Sequence, residues 1–292
     1  MRGPKTPRFH LPLAGGPKVE VFAADAAAQG PVAELGTIMQ LGDEGGEPEG
    51  LLRLAVVGGA DGFPGEAHGT VVHRLTSASD QGATRSGALD VAFGLRNLLA
   101  RLGGVLVHGG LAEWPHHEGG PPGAGIILAG ASGVGKSTAS RRLPPPWLSW
   151  SDDTSLVVPD GTGGYRAHPW PTWSRLYDEG DVGYRCATRR SVPLAAAAFL
   201  EQSAQDLVQR IGAGEATARL LMTTRQSGRW VERITSRVDV RNRRLSHFGH
   251  VTRIAQNVPM FRLCLTLHGS FWKELEALLS GELRYCHCQQ LE

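Results

Sequence analysis

Residues 130–137 have the pattern G-x-x-x-x-G-K-[ST], whose residue types and spacing suit the phosphates of a nucleotide. Its glycines let the backbone curl until successive N–H groups face one anion. Lys136 can reach the β- and γ-phosphates, and Ser137 offers a hydroxyl group to Mg²⁺. The pattern predicts a binding site for ATP and Mg²⁺ that is formed by Gly130, Ala131, Ser132, Gly133, Val134, Gly135, Lys136, Ser137 and Thr138.

The segments on either side of this loop are those that it needs for its position. Residues 125–129 form a short apolar run, which predicts a buried strand. Residues 136–143 are compatible with a helix, and the three prolines at 144–146 must end it. A glycine-rich turn that fits the pattern by chance is the alternative, and the strand–loop–helix context disfavours it.

Two adjacent carboxylates, Asp152 and Asp153, follow a further predicted strand at residues 147–151. One carboxylate can hold Mg²⁺ directly or through water, and the other can accept the proton of an attacking hydroxyl group. An ordinary turn with two solvated carboxylates is the alternative. The apolar strand that precedes the pair, after a phosphate loop, favours the catalytic interpretation.

Composition excludes several other kinds of function. Of the 292 residues 41% are hydrophobic and 20% are charged, which is typical of one globular domain with or without a smaller partner. The formal charge of +2 is too small to predict nucleic-acid binding. We find no membrane-spanning run, and residues 1–16 lack the apolar core of a secretory signal. We therefore expect a cytoplasmic protein that binds no membrane.

The four cysteines do not have the spacing of a disulfide framework. Cys286, His287 and Cys288 are ligand-type residues, but no second cluster accompanies them at the spacing of a zinc site. An incidental cysteine pair is the preferred interpretation, and a zinc site is the alternative. We assign residues 286–292 to a tail whose last two residues resemble a cloning remnant.

The chain before the tail divides into two predicted parts. Residues 1–85 are rich in Gly, Pro and Ala, and they predict a small β-rich region without catalytic groups. Its strands are predicted at residues 19–22, 51–57 and 70–75. The domain of residues 86–285 follows, and we expect Asp90 to cap its first helix, Gly103 to end that helix and residues 104–108 to form a strand.

Downstream of the Asp-Asp pair the pattern predicts further strands and helices. Residues 160–164 have the composition of a hairpin turn, which makes the sheet mixed rather than parallel. Residues 192–200 are compatible with a strand or a helix, because their alanines blur the hydrophobic period. Residues 214–224 predict a helix and residues 260–267 predict a strand. Ser270 is expected to cap a last helix that ends near Gly281.

The order of these features resembles the HPr kinase/phosphorylase-like family. In that family a strand with a histidine, a G-x-S-G-x-G-K-S loop and a strand that ends in Asp-Asp form the active site. His108, residues 130–137 and the pair Asp152 and Asp153 match these features in the same order. The resemblance covers about residues 86–285.

More local similarities point to the branch of this family that is found beside peptide-modifying enzymes. Residues 168–174 are similar to the SynChlorMet cassette family ScmC in particular. The other similar stretches are residues 192–202, 215–221, 257–263 and 271–272.

The resemblance implies an α/β fold, with a P-loop kinase domain of the HPr kinase/PEP carboxykinase-like type and a mixed sheet. It implies an ATP- and Mg²⁺-dependent kinase that phosphorylates a Ser or Thr hydroxyl group of a peptide or small protein, here a ribosomally synthesised precursor peptide. It makes Asp152 the base, Asp153 and Ser137 the metal ligands, and His108 and Lys136 neighbours of the transferred phosphate. A structural role at the end of its strand is the alternative for His108. We do not find the acidic signature segment or the separate N-terminal domain of the bifunctional HPr enzymes, so the resemblance does not extend to phosphorylase activity.

Two other functions are compatible with the same residues. The first is a nucleotide-dependent binding or regulatory protein that phosphorylates no acceptor. The second is a kinase for a small metabolite, which predicts a closed pocket instead of an open groove near Trp170 and Trp173. Homo-oligomer formation stays open.

For several other polar and aromatic side chains we prefer a structural or solvated role to a role in the site. His168 and the two tryptophans are expected to brace the core or the rim of a pocket rather than take part in chemistry, with binding of a peptide by the aromatic rings as the alternative. Arg185, Arg189 and Arg190 are expected to be solvated, with binding of phosphate or of an acidic acceptor as the alternative.

Overall fold

The computed structural model describes residues 6–43 apart from 15 and 17, 52–58, 70–75, 84–114, 123–226 apart from 178, and 237–277. Its strands are β1 (Arg8–Pro12), β2 (Lys18–Ala23), β3 (Leu52–Val57), β4 (Thr70–Arg74), β5 (Val105–Trp114), β6 (Ala124–Ala129), β7 (Leu148–Ser151), β8 (Thr154–Pro159), β9 (Tyr165–Trp170), β10 (Val192–Gln202), β11 (Leu207–Arg210) and β12 (Met260–Leu265). Its helices are α1 (Ala26–Ile38), α2 (Thr84–Arg101), α3 (Lys136–Arg142), α4 (Trp173–Tyr177), α5 (Ala213–Gln226), α6 (Arg237–Asn257) and α7 (residues 271–277).

The first sheet has the order β1-β2-β3-β4, with β1 antiparallel to β2 and the other pairs parallel. Helix α1 connects β2 to β3, and the Asp25 side chain caps it by accepting a hydrogen bond from Ala28 N at 2.9 Å. The three strands predicted for this region are confirmed as β2, β3 and β4. Strand β1 and helix α1 were not predicted, because Gly30, Pro31 and Gly36 interrupt the helical pattern of α1.

One apolar core joins this sheet to the rest of the described chain. Leu35 of α1 and Leu95 of α2 belong to the same buried cluster as Leu106, Leu156 and Trp170. Because apolar side chains from both sides of residue 85 share this cluster, separating the two parts would expose it to water. The boundary at residue 85 stays a prediction.

The prediction that Asp90 caps the first helix is wrong. Helix α2 begins at Thr84, so Asp90 lies inside it, and its Oδ1 atom is 3.1 Å from His73 Nε2. Residues 84–89 lack a clear apolar period, whereas an aspartate before Val91 looks like a cap. Gly103 follows the helix with a φ of 83°, a left-handed conformation that favours glycine and ends the helix as expected.

The second sheet is mixed, as predicted, and has the order β11-β12-β10-β6-β5-β8-β9. Strands β6, β10 and β12 are parallel to one another, and β5 is antiparallel to β6 and β8. Strand β9 also pairs with the first residues of β10, so β5, β6, β8, β9 and β10 close into a ring. Strand β7 pairs with the second half of β5, beyond the part that pairs with β8.

Most elements after the phosphate loop agree with their predictions. The ambiguous residues 192–200 are a strand, and the predicted helix at 214–224 and strand at 260–267 are α5 and β12. Helix α7 begins after Ser270, while its predicted end near Gly281 lies outside the described residues. Helix α6 and strand β11 were not predicted. Within the described ranges we find no helix that is long and apolar enough to cross a membrane.

Candidate active site

The predicted phosphate loop connects the buried strand β6 to helix α3. Gly133 and Gly135 have φ values of 80° and 108°, the left-handed region in which glycine is favoured. A Cβ atom on Gly130 would lie 2.8 Å from Val134 Cγ1, so a larger residue at this position would have to displace the Val134 side chain. These glycines give the loop the curled backbone that the pattern predicts.

Lys136, the first residue of α3, is almost completely buried, with 6% of its surface exposed. Its Nζ atom donates hydrogen bonds to Gly130 O at 3.3 Å and Ala131 O at 3.0 Å, so the side chain folds back across the loop. Burial lowers the pKa of Lys136, while the charges of Asp153 and Asp152 act in the opposite direction. The loop therefore holds a largely buried ammonium group whose balancing charges are the two predicted site carboxylates.

Asp153 is held by two neighbours at the end of β7. Its Oδ1 atom is 2.8 Å from His108 Nε2, and its Oδ2 atom accepts a hydrogen bond from Thr154 Oγ1 at 3.1 Å. Burial alone would raise the pKa of Asp153, but His108, Lys136 and Thr154 together hold it below its usual value. The lowered pKa keeps Asp153 ionised at neutral pH. Since 32% of its side chain is exposed, a ligand can reach this carboxylate.

Asp152 has a different environment from that of its neighbour. Its Oδ1 atom accepts a hydrogen bond from Thr172 Oγ1 at 3.0 Å, and Thr172 itself is only 2% exposed. Asp152 is half-buried. The two carboxylates are thus fixed by different partners, which allows them different tasks.

A pair of glycines in β5 brings the histidine and the carboxylates together. A Cβ atom on Gly109 would lie 2.7 Å from Ile127 Cγ2, and one on Gly110 would lie 2.8 Å from Ser140 Oγ and 2.9 Å from Ser151 O. Here β5 exchanges β8 for β7 as its partner. The close approach sets the end of β7 against Gly110, while His108 pairs with Thr154 at the start of β8, so Asp152 and Asp153 lie between the two contacts. Glycines inside a strand are a known signal for such an approach, so the sequence contained a sign of this contact.

Replacing Gly110 by alanine is therefore expected to disturb the site through packing alone. The new methyl group would overlap with Ser140 Oγ and the backbone at Ser151, so we expect the free energy of unfolding to fall by about 1–3 kcal/mol. Denaturant unfolding measures this loss. Gly214→Ala is the matched control, because a Cβ atom there meets no atom within 4 Å and favours helix α5. Equal stability of the two variants would contradict the packing described for β5.

The structure thus brings four predicted residues to one place: His108, Lys136, Asp152 and Asp153. Lys136 interacts electrostatically with both aspartates, and His108 is bonded to one of them. Ser137 lies beside Lys136 at the start of α3 and is half-buried, while Thr138 is exposed. Neither Thr172 nor the glycines of β5 were predicted as part of this site.

The oxygen atoms of Ser137 and Asp153 are of the type that Mg²⁺ prefers, so the donor chemistry fits the predicted metal. A site completed by water and phosphate oxygens needs few protein ligands. The described residues contain no group of three or more His, Cys, Asp or Glu placed to hold a metal ion. The alternative zinc site at Cys286, His287 and Cys288 lies outside the described residues.

The remaining candidates have structural environments. His168 is 1% exposed, and its Nδ1 atom is 3.0 Å from Thr188 O, while burial lowers its pKa. Trp170 is 2% exposed, and Trp173 packs against the same core, which confirms their bracing role. Arg185, Arg189 and Arg190 are exposed, as expected for solvated arginines. The Arg190 guanidinium carbon lies 4.8 Å from the centre of the Trp150 ring.

Comparison with known families gives one result for this arrangement. A family model described as SynChlorMet cassette protein ScmC matches residues 90–280, more than half of the chain. The matched segment contains His108, the phosphate loop and both aspartates. It confirms the similarity noted at residues 168–174. A comparison with curated proteins finds no match.

Proposed function

The chain belongs to the ScmC family, the SynChlorMet cassette proteins, and on this premise we propose that it is an ATP- and Mg²⁺-dependent kinase. The proposed acceptor is a Ser or Thr hydroxyl group of a peptide or small protein. The description of the family as a cassette protein fits a protein that acts in a set with others. The choice of a precursor peptide as the acceptor rests on the resemblance to proteins found beside peptide-modifying enzymes. A cytoplasmic location and a P-loop kinase domain of the HPr kinase-like type are part of the same proposal.

The observation that carries the proposal is the placement of the buried Lys136 with Asp152 and Asp153 as its charge partners. A glycine-rich loop that only turned the chain would not need a buried ammonium group opposite two carboxylates, since burying charge is costly. Phosphoryl transfer needs these groups together: a cation for the phosphates, oxygen ligands for a metal and a carboxylate that accepts a proton.

Each residue has a definite task in this proposal. Residues 130–138 hold the phosphates with their backbone N–H groups, and Lys136 exchanges its bonds to Gly130 O and Ala131 O for phosphate oxygens. Ser137 and Asp153 hold Mg²⁺, which neutralises the charge of the phosphates when it is bound. His108 and Thr154 keep Asp153 ionised and oriented for this task.

The hydroxyl oxygen of the peptide attacks the γ-phosphorus of ATP, and Asp152 takes up the proton of that hydroxyl group. The bond from that oxygen to phosphorus forms, the bond from phosphorus to the bridging oxygen of ATP breaks, and ADP leaves with the electron pair. Most of the catalysis in such a reaction comes from positioning of the reactants and neutralisation of their charge, and Lys136 contributes to the neutralisation.

Incubation with γ-labelled ATP, Mg²⁺ and candidate precursor peptides tests the proposal. We expect label on the peptide. A protein that binds ATP but labels neither peptide nor small metabolite would be the regulatory protein of the alternative, and label on a metabolite alone would identify the metabolite kinase.

Removal of the Ser137 hydroxyl group is expected to weaken the metal site specifically. Because Mg²⁺ loses one of its oxygen ligands, Ser137→Ala should need a higher Mg²⁺ concentration for half-maximal transfer at saturating ATP. Titration of transfer against Mg²⁺ measures this shift. Ser149→Ala is the matched control, since Ser149 is an exposed hydroxyl residue on β7. An identical Mg²⁺ dependence in Ser137→Ala and the parent would show that other groups hold the metal.

A further inference from the structure

A chain of contacts outside the predicted motifs ends at Asp152. Thr172 lies between β9 and α4, and its hydroxyl group donates a hydrogen bond to Asp152 Oδ1 at 3.0 Å. Since Thr172 is 2% exposed, water does not compete for this hydroxyl group as it would at the surface. The bond occupies one oxygen of Asp152 and restricts the rotation of the carboxylate.

Thr172 is in turn held by Tyr184. The Thr172 N–H group donates to Tyr184 Oη at 3.0 Å. Burial raises the pKa of Tyr184 to about 12, so the phenol stays neutral under ordinary conditions. The guanidinium carbon of Arg175 lies 4.7 Å from the centre of the Tyr184 ring, and Arg175 is paired with Asp181 at 3.0 Å.

The segment that carries Tyr184 is anchored on the N-terminal part of the chain. The N–H group of Cys186 donates to Ile38 O, at the end of α1, at 2.7 Å. Tyr184 also packs against the core that α1 and α2 share with Trp170. The position of Thr172 therefore depends on the segment that carries Tyr184 and, through that segment, on helix α1 of the N-terminal part.

We propose that Thr172 is a positioning residue that orients Asp152 for proton transfer, with Tyr184 fixing Thr172. The inference rests on the proposed kinase function. With Oδ1 bound to Thr172, the other oxygen of Asp152 accepts the proton of the acceptor. A carboxylate without this bond rotates and presents its oxygen less often, while nucleotide binding at the phosphate loop is unaffected.

The test compares Thr172→Val, which keeps the side-chain shape but removes the hydroxyl group, with Thr172→Ser, which keeps the hydroxyl group. Thr223→Val is the matched control, because Thr223 is also buried but its hydroxyl group bonds within helix α5, to Leu220 O at 2.8 Å. One readout is the carboxyl ¹³C resonance of Asp152, assigned by its loss in Asp152→Asn. The others are single-turnover transfer and ATP affinity.

In Thr172→Val we expect the Asp152 resonance to move and transfer to slow by about tenfold or more at unchanged ATP affinity. Thr172→Ser and Thr223→Val should stay close to the parent in all three readouts. An unmoved Asp152 resonance, or parental transfer in a folded Thr172→Val variant, would overturn the positioning role alone. A parent protein that transfers no phosphate would overturn the proposed function and this role with it. If Thr172→Val does not fold, Tyr184→Phe takes its place, because it removes the acceptor of the Thr172 N–H group. We expect Tyr184→Phe to change the three readouts in the same direction by a smaller factor. Parental values in Tyr184→Phe would overturn the positioning role of Thr172.

Discussion

Lys136→Ala is expected to abolish phosphate transfer and to weaken nucleotide binding. The alanine removes a buried ammonium group that two carboxylates balance, so the phosphates lose their cation and face Asp152 and Asp153 uncompensated. The loss of one such charge-stabilising group slows a reaction by at least about a hundredfold. Single-turnover transfer and calorimetric binding of ATP measure the two effects.

Lys273→Ala is the matched control for this variant, because Lys273 is an exposed lysine on α7. It should bind ATP and transfer phosphate as the parent does. Lys136→Ala is also expected to be less stable, since Gly130 O and Ala131 O lose a donor, so thermal unfolding must first show that it is folded. Unchanged ATP affinity and turnover in a folded Lys136→Ala variant would rule out the phosphate-loop hypothesis.

Asparagine substitutions at Asp152 and Asp153 are expected to have different effects. Asp152→Asn should keep Mg²⁺-ATP binding but slow transfer by about a hundredfold or more, because the proton of the acceptor loses its base. Asp153→Asn should impair Mg²⁺-dependent ATP binding as well as the rate, since it removes a proposed metal ligand and the anionic partner of His108. Calorimetry with and without Mg²⁺, beside single-turnover transfer, separates the two.

The two variants serve as controls for each other, since each removes one negative charge at adjacent positions. The order of the two roles derives from the resembling family, and the separate partners of the two side chains, Thr172 and His108, are compatible with it. A reversed pair of effects would exchange the roles and keep the kinase. Parental transfer by both variants would reduce the Asp-Asp pair to a turn and contradict the catalytic proposal.

The parts of the fold that the sequence predicted are those with a strong local pattern. The strand, glycine loop and helix of residues 125–142 depend on neighbouring residues, and so does the hairpin around residues 160–164. Helix α1 escaped prediction because its Gly and Pro residues oppose helix formation in isolation, while burial of Val32 and Leu35 stabilises it in the fold. Helix α6 lacks a clear apolar stripe for much of its length.

The same distinction applies to the site. The loop and the Asp-Asp pair are visible as motifs, and the resemblance added His108. The contacts that orient them join distant residues: His108 and Asp153 are 45 positions apart, and Asp152 and Thr172 are 20 positions apart. No local sequence pattern predicts that a threonine is the partner of an aspartate. Only the tertiary structure shows the contacts of Thr172 and Tyr184.

The most direct test of the central claim is the transfer of the γ-phosphate of ATP to a hydroxyl group of a peptide, located by tandem mass spectrometry. With Mg²⁺, ATP and a candidate precursor peptide, we predict a phosphorylated Ser or Thr residue with the parent protein and a strongly reduced amount with Asp152→Asn. Binding of ATP by the parent without phosphate on any peptide would contradict the account. So would equal phosphorylation by the parent and Lys136→Ala.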